Sequence, residues 1–396
     1  MNLLVLLSLA IVASCIKCSD ITTDAAKVTI VGVESRNITT EYGDTMRLGG
    51  YGSAIAYNKQ TQLYYLLTDR GPNTDYGDKE AKLFPMPNYS PTVGEFRMEG
   101  DSLKLIRNIA LKDAKGNPVL GLPNSCGDGV TGEIAYNPLG EKIEGDHFGI
   151  DSEGLALSPD GTIWISDEYA PFILNYTMNG ELLRIISPSN VLPKYFAKRR
   201  PNRGMEGLTI SADGKRLYGA MQSPLYIPDS RTKNTSRNNR IVEITLDNDS
   251  TREFIYQLED AKKMVSEILY INNSEMLILE RDGKFPSGGN GIKHIYKINL
   301  QNATDVSGLE IETLSDVELA AKGIRPVKKE LYMDIIKTVP DYPHDKAEGI
   351  AFLEDGSLAL INDDDFSVVD QNNTFVPKVQ PSGKLDHSTL YIIGNF

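Results

Sequence analysis

Short apolar runs at period two pass through residues 28–33, 55–57, 155–157, 163–165, 277–279 and 358–360, each bounded by turn formers. Alternation of this kind puts every second side chain on one face and marks β-strands. Helical periodicity is brief, over 260–265 and 314–322. The pattern predicts an all-β chain.

One unit recurs along it. EGLALSPDGTIWISDE begins at Glu153, EGLTISADGKRLYGAM at Glu206, SEILYINNSEMLILERD at Ser266 and EGIAFLEDGSLALINDDD at Glu348, with a fainter copy, GSAIAYNKQTQLYYLLTDR, at Gly52. Each reads as a strand opened by a carboxylate, a tight turn, and a second strand that usually ends in Asp, Asn or Glu. The turns SPDGT, SADGK and LEDGS place Asp-Gly between the strands, where a left-handed backbone is needed and glycine supplies it without strain. Aligning the turns puts Ser53, Glu153, Glu206, Glu267 and Glu348 in one slot, at separations of 100, 53, 61 and 81 residues. The gap of 100 is about twice the shortest, which implies a degenerate unit near PTVGEFRMEGDSLKLI. Six units of four short strands arranged radially make a six-bladed β-propeller, which protects its sheet edges by circular repetition. The early strand VTIVGV and the last strand TLYII are expected to share a blade and close the ring. A β-sandwich is the rival architecture, and repeats of this length with internal hairpins favour the propeller. The loop 192–204 and the Gly-rich segments 73–89, 116–132 and 285–291 read as insertions at one rim.

In a propeller the innermost strand of each blade lines the central channel and the next strand returns beside it. The start of the first and the end of the second therefore share a face. Glu153, Glu206, Glu267 and Glu348 head for one mouth, with Asp167, Glu168, Asp282, Asn362 and Asp363 at the same rim. Converging carboxylates repel one another unless a cation neutralises them. An all-oxygen donor set suits calcium, and the shortage of His and Cys argues against zinc. Glu153, Asp167, Glu206, Glu348 and Asp363 are the expected metal ligands. A structural alternative makes Glu-Gly a repeat consensus that bonds backbone amides of the next blade. Basic groups flank the same slots: His147, Arg203, His344 and Lys346 precede inner strands, and Arg70 and Arg281 follow second strands. Beside a cation, Arg70, Arg203 and Arg281 suit anion clamps, and His147 or His344 a general base. Arg70 and Arg281 can equally pair with rim carboxylates. There is no G-x-S-x-G elbow, Walker loop or H-E-x-x-H motif.

The chain opens with MNLLVLLSLAIVASC, an apolar run followed by small residues that fits a signal peptide over 1–19 better than a membrane span. A single domain over 20–396 remains, and no later stretch is apolar enough to cross a bilayer. Asn-x-Ser/Thr acceptors at Asn37, Asn88, Asn175, Asn234, Asn248, Asn272, Asn302 and Asn372 fit a secreted, N-glycosylated product. Cys15 and Cys18 leave with the leader if it is cleaved late, so Cys126 is either free or paired with Cys18. A net charge of −13 and a pI near 4.9 argue against a nucleic-acid partner, which needs a basic face.

The segments GIDSEGLALSPDGTIWISDEYAPFIL, RGMEGLTISADGKRLYGAMQSPL, NRIVEITLD, ILERDG and KAEGIAFLEDGSLALINDDDF, with TDRGPN at Thr68 to Asn73, resemble the secreted phytase-like family, described by an esterase-like activity of phytase. The resemblance covers the chain from about Gly52 onward and implies a secreted propeller that hydrolyses phosphate or carboxylic esters. A more distant similarity is to calcium-dependent lactonase and phosphotriesterase propellers, in which an acidic residue at an inner-strand entrance ligates calcium; Glu153 stands in a comparable place. The expectation is a monomeric, metal-dependent ester hydrolase acting on a small anionic or ester substrate. The alternatives are a non-catalytic extracellular propeller that binds a protein or glycan, and a calcium-dependent lactonase.

Overall fold

The alternating runs become strands with both faces covered. In the strand Thr162–Asp167, Ile163 and Ile165 join one apolar cluster and Trp164 joins the next. The computed structural model describes residues 26–286 and 291–394; the expected leader over 1–19, with Cys15 and Cys18, lies outside the described residues. Five inner strands, Ala54–Asn58, Ser152–Leu157, Met205–Ile210, Met264–Tyr270 and Ala347–Phe352, pack side by side in a closed ring. Each is the first strand of a four-stranded antiparallel blade, numbered 1 to 5 in that order. Five apolar clusters fill the five spaces between successive blades. The period-two pattern thus serves two neighbours at once, and each fully buried Leu or Ile is worth roughly 1.5–3 kcal/mol.

The termini close the ring as expected. Lys27–Val33 pairs antiparallel with Thr389–Gly394 and forms the outermost strand of blade 5. Its end also runs parallel to the outermost strand of blade 1, Gly32 opposite Ser102 and Val33 opposite Leu103. The propeller is confirmed, but among the described residues it has five blades and not six. The stretch expected to hold a degenerate unit supplies the outer strands of blade 1, Thr92–Glu99 and Ser102–Ala110. The remaining length before Glu153 is insertion, including a separate three-stranded sheet of Thr74–Tyr76, Asp78–Leu83 and Ile134–Tyr136. Sequence spacing measures chain length, and an insertion is indistinguishable there from a blade.

Two local expectations also change. The helical pattern over 314–322 is a short α-helix, Asp316–Ala321, with a capping box between Ser315 and Glu318. The pattern over 260–265 is no helix, because Met264 and Val265 open the inner strand of blade 4, where ring packing outweighs local preference. Of the glycosylation acceptors, Asn175 is buried in blade 2, its amide donating to the Thr162 hydroxyl at 3.0 Å and the Ile163 carbonyl at 3.1 Å. The other acceptors are exposed.

The Glu-Gly pair has a structural cause. In blades 2, 3 and 5 the inner strand carries a β-bulge, with Glu153, Glu206 and Glu348 left out of the pairing register. A bulge re-aims the extra side chain, here toward the channel mouth. The following glycine meets the backbone of the next inner strand. A Cβ on Gly207 would lie 2.5 Å from the Ile268 nitrogen, and one on Gly349 would lie 2.7 Å from the Ile55 nitrogen. In blade 4 the bulged residue is Ser266, and Glu267 stands in the glycine slot. The repeat alignment was therefore off by one there: the mouth positions are Ser53, Glu153, Glu206, Ser266 and Glu348. Glu267 turns inward and accepts hydrogen bonds from the backbone amides of Leu208 at 3.0 Å and Ile268 at 2.9 Å. A backbone-bonding role was considered for all of the glutamates; it is realised at the one that is not at the mouth, and with the preceding blade rather than the next.

Gly207→Ala must push two inner strands apart. It should destabilise the fold by about 1–3 kcal/mol in equilibrium urea unfolding, as overpacking does. An unchanged midpoint would show that the ring is not held by this approach.

Candidate active site

The bulged glutamates open into a cavity of about 550 Å³ at the channel mouth. Its wall includes Asp69, Asp151, Glu153, Glu168, Glu206, Glu348, Asp363 and Asp365 on the acidic side, with Arg70, Arg200, Arg203, Arg281 and Lys346 on the basic side. The buried Thr74 hydroxyl also faces it and has no protein partner.

The second strand of blade 2 ends at Asp167, whose carboxylate is consumed by the turn that follows. One oxygen accepts from the amides of Asp151 at 2.9 Å and Tyr169 at 3.0 Å, and the other from Ala170 at 3.2 Å. Asp167 is absent from the cavity wall. What it does is hold Asp151 and Glu168 in place, helped by the Glu168 amide donating to the Asp151 carbonyl at 2.8 Å. Asp151, Glu153 and Glu168 can then each offer an oxygen, all within 4.8 Å of one another, which gives a set able to hold a metal ion. The donors are hard oxygens only, so the set suits a calcium-like cation. Glu168 stands at the rim where the second-strand ends were expected, though Asp167 was the expected ligand there, while Asp151 and Asp69 precede residues singled out in GIDSEG and TDRG. For Asp151 and Asp69 no repeat slot gives the position away.

The other expected ligands divide. Glu206 lines the cavity and accepts from the Gln222 amide at 2.8 Å. Glu348 is engaged by Arg281, and Asp363 pairs with Lys346 at 2.8 Å. The expected clamps divide too. Arg70 is fixed by Glu133 at 3.0 Å and Asp151 at 3.5 Å, and reaches the Tyr169 hydroxyl at 3.3 Å. Arg281 is held by Glu348 and by the Ser266 hydroxyl at 2.8 Å. Arg203 has no carboxylate within ion-pair distance among the described residues; its guanidinium reaches only the Met264 sulfur at 3.8 Å. Its loop is tied down by Arg199 on the Tyr169 carbonyl at 2.7 Å and by the Gly204 amide on the Glu168 carbonyl at 2.8 Å. Neither histidine is on the wall. His147 is exposed, its Nδ1 3.6 Å from the free Cys126 thiol, and His344 is buried between Asp386 at 2.6 Å and the Tyr391 hydroxyl at 2.8 Å.

Burial and mutual repulsion dominate the electrostatics. Glu168 is pushed up to about 8, mainly by burial and then by Asp151. Glu153 is raised well above the usual carboxylate range by burial, with Asp151, Glu206 and Glu168 adding to it. Glu206 is raised by burial, Glu168 and Glu348, and Asp69 by burial, Asp363 and Asp151. Burial and crowding thus favour the protonated form of each group, and a bound cation would favour the charged form.

Glu168 has a folded value of about 8 against an ordinary 4.5, so between these limits the folded chain keeps a proton that the unfolded chain has shed. The contribution is whole below about 4.5 and is lost as pH rises through about 8. In the presence of a chelator the melting temperature should fall between about pH 5 and pH 8. Added calcium should reduce that fall. A metal-free melting temperature that rises over this range would contradict the burial described.

Residues 46–366 match the model of the phytase-like family, described as esterase-like activity of phytase. A secreted protein of Arthroderma benhamiae, described as uncharacterized, is 27% identical over a 338-residue alignment that covers 67% of this chain and 65% of that protein. The chain thus spans somewhat less than two thirds of that relative's length. Among solved structures, a protein from Lactobacillus plantarum gives a TM-score of 0.39 at 8% identity, covering 93% of this chain and 100% of that one. A luciferin-regenerating enzyme gives 0.38 at 9%, covering 88% and 92%. No helix among the described residues is long and apolar enough to cross a membrane. The match over most of the chain places this protein in the phytase-like family.

Proposed function

We propose that the protein is a secreted, calcium-dependent hydrolase of phosphate or carboxylic esters, with its chemistry at the channel mouth. The reading rests on one observation above all. Asp151, Glu153 and Glu168 converge within 4.8 Å of one another, in a polar cavity that also holds a guanidinium, Arg203, whose nearest polar contact among the described residues is the Met264 sulfur rather than a carboxylate. The three carboxylates would hold the cation. When bound, calcium supplies a Lewis acid that polarises the ester and acidifies a water.

The chain's own residues do the rest. Arg203 holds an oxyanion edge of the substrate, since its fork is not committed elsewhere. Arg70 and Arg281 fix Asp151 and Glu348 through ion pairs and shape the wall. Glu206 is the candidate proton acceptor: it is on the wall, raised by burial, and next to Glu168 in the electrostatics of the site. This assignment takes over the role first considered for His147 and His344. The secreted location is supported by the apolar opening of the chain and by the secreted relative.

Glu153→Gln keeps the shape of the side chain and removes its charge. On phosphomonoester and carboxylic ester panels with calcium present, it should lower kcat/KM by about a hundredfold, which is ~2.7 kcal/mol of barrier. It should also weaken calcium binding measured by calorimetry while leaving the circular dichroism spectrum unchanged. Full activity of the Glu153→Gln, Glu206→Gln double variant would sink the assignment.

A further inference from the structure

The channel has a second end. Four residues beyond each mouth position, ~13 Å along the strand, every inner strand carries a large and mainly apolar side chain: Tyr57, Leu157, Ile210, Tyr270 and Phe352. Each packs against a different one of the five inter-blade clusters and is only half-buried. All five are on the wall of a cavity of about 270 Å³, which shares no residue with the cavity at the mouth. One end of the channel is thus ringed by charge and the other by hydrocarbon.

Glu267 is on the same apolar wall. This is the glutamate that blade 4 carries in place of the glycine, and it is 2% exposed. One of its oxygens accepts from both the Leu208 and the Ile268 amides, and the other makes no hydrogen bond among the described residues. Burial raises it well above the usual carboxylate range, against the two amides and with Glu348 adding. The second oxygen therefore carries the proton, an O–H donor that lacks an acceptor. Other polar groups on the wall are engaged or peripheral. The Thr209 hydroxyl accepts from the Tyr270 amide at 3.1 Å, the Tyr270 hydroxyl donates to Asn273 at 2.8 Å, and Lys59 is exposed.

Apolar surface left in water and a buried donor left unmatched are both unfavourable. A single ligand relieves both, with an apolar body against the ring and an acceptor atom at Glu267. An anion at that depth would be desolvated without a cation to meet it, and an ammonium group would have to be stripped of water as well as draw the proton from Glu267. The inner end of the ligand is therefore neutral.

We infer that the far end of the channel is a binding site for a neutral aliphatic carbonyl compound of medium chain length. The chain lies within the ring of Tyr57, Leu157, Ile210, Tyr270 and Phe352, and the carbonyl oxygen accepts from the Glu267 carboxyl. A cavity just below the roughly 300–1,000 Å³ of sites for drug-sized ligands limits the chain to that length. The site stands apart from the ester chemistry proposed for the mouth and does not depend on it.

The probe is 2-octanone, titrated calorimetrically into the full protein in chelator at about pH 6, well within the range where burial keeps Glu267 protonated. Wild type should bind it. The shorter 2-butanone should bind at least about tenfold more weakly, because it leaves much of the ring uncovered. Octanoate and octylammonium, with a charged end on a similar chain, should also bind at least about tenfold more weakly. A Leu157→Gln, Ile210→Gln variant makes two sides of the ring polar and should lose about tenfold in affinity with an unchanged circular dichroism spectrum. No binding of 2-octanone by wild type up to its solubility limit, tighter binding of either charged probe, or equal affinity in the ring variant overturns the site.

Two further readouts concern Glu267 and do not require the ring variant to fold. Glu267→Gln keeps an acceptor for the two amides and a donor for the ligand, so its affinity for 2-octanone should stay within about threefold of wild type. Loss of binding there would mean that a charged carboxylate is needed, and the neutral ligand would be rejected. The carbon resonance of a 13C-labelled carbonyl in bound 2-octanone should lie downfield of its position in hexane, as hydrogen bonding requires. A resonance at the hexane position would reject the contact with Glu267.

Discussion

Five inner strands lie so close around the axis that in three blades the residue after the mouth position has no room for a side chain beyond hydrogen. This approach of backbone to backbone is the constraint from which the rest follows. It requires glycine at positions 154, 207 and 349, and the bulge beside each glycine throws one glutamate out of the ladder toward the mouth. Ring packing and site chemistry are thus set by one dipeptide. Where the dipeptide is shifted, in blade 4, the glutamate bonds backbone amides and the mouth receives a serine instead.

Bringing many carboxylates together in a partly enclosed space is unfavourable, and the site compensates unevenly. Around Glu348, Asp363 and one edge of Asp151, arginine and lysine provide the opposite charge. Around Glu153 and Glu168 no ion pair is formed among the described residues, and burial raises both groups. The neutralised side is architecture; the uncompensated side is where a cation has most to gain. The same accounting separates the basic groups: Arg70 and Arg281 are committed to the frame by ion pairs, whereas Arg203 makes none among the described residues.

Much of the fold was legible in the sequence because its signals are local. Asp-Gly turns between alternating runs give hairpins, and Gly161, Gly214 and Gly356 do adopt the left-handed backbone at φ of +83°, +70° and +85°. Pairing of the terminal strands followed from the early run VTIVGV and the last run TLYII, one at each end of the ring. The blade count could not, because the insertion before Glu153 adds length without adding to the ring. The site was half legible for the same reason. Glu153, Glu206 and Glu348 share a slot in the repeat, but Asp69 and Asp151 lie outside it and join the cavity only because loops from two blades meet there.

What the sequence by itself determined is the all-β repeat, the face on which the glutamates emerge and the family. These depend on residues within one hairpin, where spacing of two and a turn fix geometry. Only the tertiary structure decided which charges are free. Asp167 and Glu168 are adjacent in sequence and both acidic, yet the backbone amides of Asp151 and of the turn at Tyr169 and Ala170 consume the first and leave the second facing the cavity. Arg70, Arg203 and Arg281 look alike in the chain, and they differ because partners from other loops and blades reach two of them and not the third. A side chain's availability is a property of its neighbours in space, and those come from segments far apart in the sequence.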